Sequence, residues 1–301
     1  MKIKDTPSRI VFKVINYILL SLLALICLAP LWHVLMASFS SPTLLVQHTG
    51  ILLWPLYDAD HPLTLGGYYI VVKNNSLIRG YANTIYYVAV GCFCSVMLGS
   101  LAAYCMSRRK AIWMKYLILI LTFTMFFNGG LIPTYMVNKT LGINNTRWVM
   151  IVMGVISVFN IIIIRTAFLS LPESLEESAQ LDGAGHITIL LKIILPLTKA
   201  TIAVIALFYS VGKWNEYLTA AIYLTDRNLF PLQIVLREIL IAATSPPGME
   251  GDINTILGDE GNAKKLVEYS TIIFATLPIL CIYPFIQKYF VKGVMIGSIK
   301  G

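Results

Sequence analysis

Six long apolar runs govern what this chain can fold into: 11–36, 81–106, 112–135, 148–168, 200–224 and 269–290. Each meets the ~20 residues that a helix needs to cross a bilayer. Hydrocarbon holds no water to pair with a bare N–H or C=O, so a segment inside it must be a helix or part of a closed barrel. Continuous runs of this length read as helices. Composition agrees: 57% of residues are apolar and 13% charged, with mean hydropathy +0.75, whereas a soluble domain carries about 25% charged residues. The expectation is an all-α membrane protein with six transmembrane helices. The first run is too long for the ~7–15-residue core of a cleaved signal peptide, so it is expected to stay as a span, kinked at Pro30.

The chain then divides into a short N-terminus (1–10), the first span (11–36), a turn-rich outer loop (37–80), a core with five further spans (81–291) and a tail (292–301). Two polar interruptions mark the core, 169–199 and 225–268. Paired glycines and Pro133 are expected to loosen the third span at Gly129–Pro133. The net charge of +8 does not indicate nucleic acid, because the basic residues flank apolar runs and form no stripe with interleaved aromatics. They set orientation instead. Fourteen of the 23 Lys and Arg fall on the side of the termini and of 169–199, including Arg108-Arg109-Lys110; eight fall opposite, and Lys213 lies within a span. Excess positive charge marks the cytoplasmic side. Cys27, Cys92, Cys94, Cys105 and Cys281 lie in or beside apolar runs without a CxxC, and read as small buried hydrophobes.

The interruption Leu169–Pro196 is the most informative polar stretch. Ser170-Leu171-Pro172-Glu173 and Ser174-Leu175-Glu176-Glu177 both fit the S-x-x-E capping box, so a short helix should begin here. Leu171, Leu175 and Ala179 share one face of it. Gly183-Ala184-Gly185 supplies turn residues of positive φ where that helix stops, and a second helical run, Ile187–Leu195, ends at Pro196. A helix, a glycine elbow and another helix between two spans have the shape of a part that docks into a partner.

The order Glu177-Ser178-Ala179, three residues, Gly183, nine residues, then Ile193-Ile194-Leu195-Pro196 resembles the EAA motif of ABC importer permeases. Ser178 replaces the usual second alanine and Lys199 stands where a second proline often follows. The resemblance implies a type I ABC importer permease fold in which this loop is a cytoplasmic coupling helix seated in an ATPase. It implies that Glu177, Ala179, Asp182, Gly183 and Ala184 make or shape that contact, and that Ile193, Leu195 and Pro196 fix its base. Further stretches, Asn83-Thr84, Ala103-Tyr104 with Ser107-Arg108-Arg109, Gly129–Tyr135 and Lys292–Gly301, look like the maltose-permease type of carbohydrate importer, most of all its LplC-like branch. That family works with a second homologous permease, an ATPase dimer that holds ATP and Mg, and an extracytoplasmic solute-binding lipoprotein in a bacterial cell membrane. Its C-terminal tail can lie against the ATPases.

Lys213, Asn215 and Glu216 are charged or polar within the fifth run, where a charge costs ~2.5–3.5 kcal/mol and normally faces a bundle interior or watery cavity. Lys213 and Glu216, three apart, could pair along one helix face. Trp214, Asn215, Glu216 and Asn160 are candidates for a polar solute path, with Trp214 able to stack on a sugar; Trp214-Asn215-Glu216 also resembles a WN(D/E) feature of carbohydrate-uptake permeases. Catalysis lacks support: there is no phosphate loop, no H-E-x-x-H and no G-x-S-x-G. His33, His48, His61 and His186 are too scattered for a metal site and read as solvated. The function expected is half of a translocation path for a carbohydrate, with no cofactor in this chain. An ABC permease for another solute, or a secondary transporter with Lys213 and Glu216 as an ion relay, are the alternatives.

Overall fold

The computed structural model describes residues 6–60, 62–108, 113–241 and 260–298. Lys2, Lys4, Arg109 and Lys110 of the expected basic flanks, Lys300 and Gly301 of the tail, and 242–259 of the outer segment lie outside the described residues. The side chains of 285–298, Lys292 among them, also lie outside. The described chain is helical, and it divides into two units, Met1–Asn75 with Leu236–Leu277, and Ser76–Val235 with Pro278–Gly301.

In the first unit, α1 (Pro7–Ala37) runs through Pro30 without a break and buries only Ala37. Its apolar side chains face outward along its length, as suits a helix surrounded by lipid or by another chain. The outer loop expected over 37–80 is more ordered than its turn residues suggest, because it contains α2 (Pro42–Gln47) and α3 (Gly66–Lys73). Pro42 at the first turn of α2 lacks an N–H that no helix partner needs. The stretch between α2 and α3 is pinned to the end of α1: Leu56 N–H donates to Ser40 Oγ at 2.9 Å, Ser41 N–H to Leu56 O at 2.9 Å, and Leu52 N–H to His33 Nδ1 at 3.0 Å. Ala37, Leu45, Leu52 and Leu266 form the core beneath it.

The second unit is organised around α4 (Asn75–Ser107), 33 residues without interruption. At 1.5 Å per residue it spans about 50 Å, more than the hydrocarbon thickness of ~30 Å. Its neighbours are broken. The third expected span is α5 (Met114–Phe126) and α6 (Leu131–Thr140), bent by 111°. Gly130 takes φ +85°, and its N–H closes onto Asn128 Oδ1 at 3.0 Å, so paired glycines and an asparagine turn the chain instead of merely loosening it. The fourth is α7 (Arg147–Val152) and α8 (Val158–Leu169), parted at Gly154 with φ +71°. The fifth is α11 (Lys199–Trp214) and α12 (Leu218–Tyr223). Between α8 and α11 lie α9 (Ser174–Leu181) and α10 (His186–Leu197). A 3₁₀ turn, Arg227–Leu229, leads to α13 (Leu232–Ile241), and α14 (Glu260–Ser298) closes the chain, longer than the sixth apolar run.

Among the described residues, α1 and α4 are each long and apolar enough to cross a membrane, rising to five crossings if each of three bent pairs counts as one. The pair α8 and α9 bends by 76° where an apolar run gives way to SLEESAQL. Carboxylates this dense belong in water, which sets α9 apart from the apolar helix before it.

Close packing in the first unit yields a test. A Cβ on Gly67 would lie 2.3 Å from Ser270 Oγ and 3.0 Å from Leu266 Cγ. Gly67→Ala should therefore destabilise the protein by ~1–3 kcal/mol, as overpacking does, read as a lower melting midpoint in detergent. Gly129→Ala, which meets nothing within 4 Å, is the control.

Candidate functional site: the elbow between α8 and α11

The elbow begins with α9. Neither expected capping box forms: Glu173 is the N-cap without a side-chain cap bond, and Ser170 Oγ donates back to Ala167 O at 2.7 Å. Pro172 and the end of α8 leave Ser170 still in the preceding turn, so its hydroxyl serves the older helix. Glu176 and Glu177 in the first turn stabilise the N-terminus through the helix dipole instead.

The C-terminus of α9 is a Schellman turn. Ala184 N–H donates to Ala179 O at 2.9 Å and Gly183 N–H to Gln180 O at 3.0 Å, with Gly183 at φ +80°. This geometry needs a residue that tolerates the left-handed region after the last turn, and an apolar contact between the residue beyond it and the third from the end. Gly183 supplies the first, Ala184 on Ala179 the second. Only Gly183 of Gly183-Ala184-Gly185 has positive φ; Gly185 is an ordinary extended N-cap for α10 at φ −75°.

α10 contains a π turn, Leu190–Ile194, where Leu195 N–H reaches back to Leu190 O. The widened turn accommodates Pro196, whose missing N–H would leave a carbonyl unpaired in a regular helix. The helix therefore continues through Pro196 to Leu197 instead of ending there. Thr198 then caps it, its hydroxyl donating to Ile194 O at 2.8 Å, and α11 leaves at 88°.

The elbow is docked. Ala179, 8% exposed, joins Ile189, Leu190 and Ile194 in one apolar cluster with Ala103 and Tyr104 of α4 and Ile164 and Phe168 of α8. Ile193 and Leu195 pack against its edge, while Pro196 is exposed. Leu175 stands 41% exposed, so the expected face of Leu171, Leu175 and Ala179 is only partly buried. The opposite side is open: Glu177, Asp182 and Gly183 are exposed, Leu181 is 90% exposed and Ile187 68%.

A cleft of about 570 Å³ separates α9 from the C-terminal ends of α4 and α8, lined by Ser107, Arg108, Phe168, Glu173, Glu176 and His186 among others. An ion pair between Arg108 and Glu176 crosses it. Both are partly exposed, so the pair adds only ~0–1 kcal/mol to stability. The Arg108 guanidinium stacks 4.0 Å over the Tyr104 ring, and Tyr104 OH shares a 3.2 Å hydrogen bond with His186 Nδ1. His186 is thus tied to α4, not simply solvated.

A second constellation surrounds Lys213, which is 6% exposed. Its ammonium donates to Met150 O at 2.7 Å, Met153 O at 2.5 Å and Glu216 Oε2 at 2.9 Å. Glu216 Oε1 accepts from Thr219 Oγ1. All three ammonium protons are placed, and the carbonyls belong to the end of α7, where a cation suits the helix dipole. The knot thus holds three broken ends: α7, α11 and α12. Trp214 is buried edge-on against Tyr81 at 5.7 Å, and Asn215 donates to Val211 O at 3.0 Å. Asn160, on the first turn of α8 with its N–H toward Ser157 Oγ, takes no part in this knot.

Residues 95–296 match the family of binding-protein-dependent transport system inner membrane components. The chain belongs to that family. It is 38% identical over 96% of its length to the polygalacturonan/rhamnogalacturonan transport system permease protein YtcP of Bacillus subtilis, covering 98% of that protein. It is 36% identical to protein LplC of the same organism, over 99% of this chain and 97% of that one. A solved bacterial ABC transporter involved in the import of the acidic polysaccharide alginate superposes with TM-score 0.86 and 29% identity, over 96% of this chain and 100% of that one.

In this inner membrane component, sequence reasoning missed the tie between Arg108 and Glu176. Tyr104 and Arg108, four apart at the end of a long run, share one helix face, and that spacing signalled their stacking though not the partner across the cleft. It also misjudged Cys27, Cys105 and Cys281, which are exposed on apolar helices.

The Lys213 knot predicts its own mutational signature. Lys213→Met strands Glu216 and bares two carbonyls, and should cost ~3 kcal/mol, the lower end for breaking a buried pair because Glu216 keeps some water. Lys213→Met with Glu216→Leu should recover part of that loss, read by thermal unfolding in detergent.

Proposed function

We propose that this chain is one of two related six-span permeases in an ATP-driven importer of a carbohydrate, an oligosaccharide by the company of its relatives. Both termini and the elbow face the cytoplasm, an ATPase dimer carrying ATP and Mg seats the elbow, and a solute-binding lipoprotein delivers sugar from outside. The observation that carries this reading is the elbow itself. It is a short helix docked on the span core through Ala179 and closed by the turn at Gly183, with Glu177, Leu181, Asp182 and Ile187 turned outward. A stiff, docked helix transmits displacement where a flexible loop would absorb it. Closure of the ATPases would push this helix, and the two permeases would rock between inward and outward openings. Trp214, Asn215, Glu216 and Asn160 stand as the proposed solute-path residues, acting mainly by keeping the breaks beside the path in shape.

A gradient-driven carrier with Lys213 and Glu216 as the relay is less well supported. A relay group must exchange its proton with the path, and the Lys213 ammonium is held by three protein acceptors.

Purified from native membranes, the protein should bring a second permease and an ATPase with it. Uptake in vesicles should stop on ATP depletion and survive an ionophore that collapses the ion gradient. Gly183→Pro imposes φ near −65° on a residue at +80° and deletes the N–H that Gln180 O accepts. That variant should still assemble while solute-stimulated ATP hydrolysis falls about 10-fold or more, within the range of coupling free energies between sites. Unchanged uptake in Gly183→Pro would count against the elbow as a lever.

A further inference from the structure

α4 runs unbroken where α5–α6, α7–α8 and α11–α12 are interrupted, and both its ends are tied to other parts of the chain. At one end Asn83 Nδ2 donates to Asn228 O at 2.8 Å and Phe230 O at 3.0 Å, Tyr87 OH to Leu229 O at 2.8 Å, and Leu232 N–H to Thr84 Oγ1 at 2.8 Å. These bonds fasten the irregular segment 228–232. At the other end Arg108 pairs with Glu176 of α9, Tyr104 with His186 of α10, and Met106 O accepts from Arg165 Nε of α8 at 2.8 Å. Between Asn83 and Ser107 the helix runs about 36 Å without a break.

We infer that Arg108 is a positioning residue that clamps the elbow helix to α4, so that α4 carries the elbow's displacement across the membrane to segment 228–232. This rests on the permease reading above. Three features of Arg108 suit the role. Its guanidinium is pre-set by stacking on Tyr104, one turn earlier on the same helix. A planar fork holds a carboxylate in fixed orientation, which a lysine does not. The pair is too exposed to matter much for folding, so its worth lies in geometry. The apolar cluster already docks Ala179 on α8 and α4, but that contact is at the C-terminal end of α9. The bridge at Glu176 adds a tie in the N-terminal half of α9, directly to α4, so that a push on the elbow reaches that helix through two points and is not taken up by a turn of α9 about Ala179 into the cleft.

The test is a charge swap in the intact transporter, reconstituted with its ATPase and receptor. In Arg108→Glu and in Glu176→Arg, the ATPases should still copurify while the ATP hydrolysed per solute imported rises about 10-fold. Arg108→Glu combined with Glu176→Arg should return that ratio to within about twofold of the parent. Single variants that couple like the parent, or a double swap no better than either single, would overturn the inference. Should the single variants fail to accumulate, cysteines at 108 and 176, in a background where the five native cysteines are serine, replace the salt bridge with a short thiol cross-link. Uptake should survive that cross-link, because the two sites move as one body; its arrest would overturn the inference. If the parent itself neither copurifies with an ATPase nor depends on ATP, it is the permease reading that fails.

Discussion

A chain that crosses hydrocarbon must pair its backbone N–H and C=O groups within itself, and this protein meets that demand while interrupting nearly every crossing of its second unit. Each interruption carries a polar side chain that makes up the missing bonds. Asn128 closes the turn between α5 and α6, Ser157 that between α7 and α8, and Thr198 that between α10 and α11. Lys213 serves α7 where it stops, and Asn83, Thr84 and Tyr87 hold the segment before α13. The intramembrane polar residues are therefore first a set of splints. Their chemistry explains why the chain can bend sharply without leaving bare carbonyls in an apolar medium, where each would cost several kcal/mol.

The same principle accounts for the letters of the elbow motif. The alanine at 179 is the residue whose carbonyl receives the closing bond of the Schellman turn, and it is also the one that must fit against α4 and α8. A small apolar side chain satisfies both. The glycine at 183 is the single left-handed residue of the elbow, and Ala184 completes the apolar contact across the turn. Glu177 needs neither bond nor burial to form this shape, and it is exposed. The motif thus separates into residues that make the bracket and residues that face away from it.

Apolar run length made the helical class, the position of most spans and the elbow legible in the sequence, because the penalty for exposed backbone leaves few alternatives. What run length could not show was continuity. Gly154 sits in surroundings as apolar as any helix centre, and the polar Lys213–Glu216 stretch is short enough to fit within a run of apolar length, so 148–168 and 200–224 read as single spans; their turns depend on partners distant in sequence, such as Lys213 on Met150. The capping boxes failed for a related reason: two serines four apart offered two helix starts, and the end of α8 claimed the first. Arg108 with Glu176 was hidden because a pairing across 68 residues leaves no local pattern.

Breaks and continuity together decide where motion can occur. A helix interrupted by a glycine of positive φ and a side-chain splint has a natural point of flexure, since a few dihedrals and one or two hydrogen bonds absorb the change. An uninterrupted helix tied at both ends has none, and moves as a rod. In the second unit α5 and α7 end in such flexures and α11 ends in a break splinted by Lys213 and Glu216, while α4 does not. Among the described residues α4 is thus a stiff member beside jointed ones, and in the proposed cycle displacement entering at the elbow tilts α4 and bends the interrupted helices beside it at their splints. In that cycle the 570 Å³ cleft beside α9 is the slack that such tilting needs, provided that the elbow helix stays joined to α4 and does not turn into that space by itself.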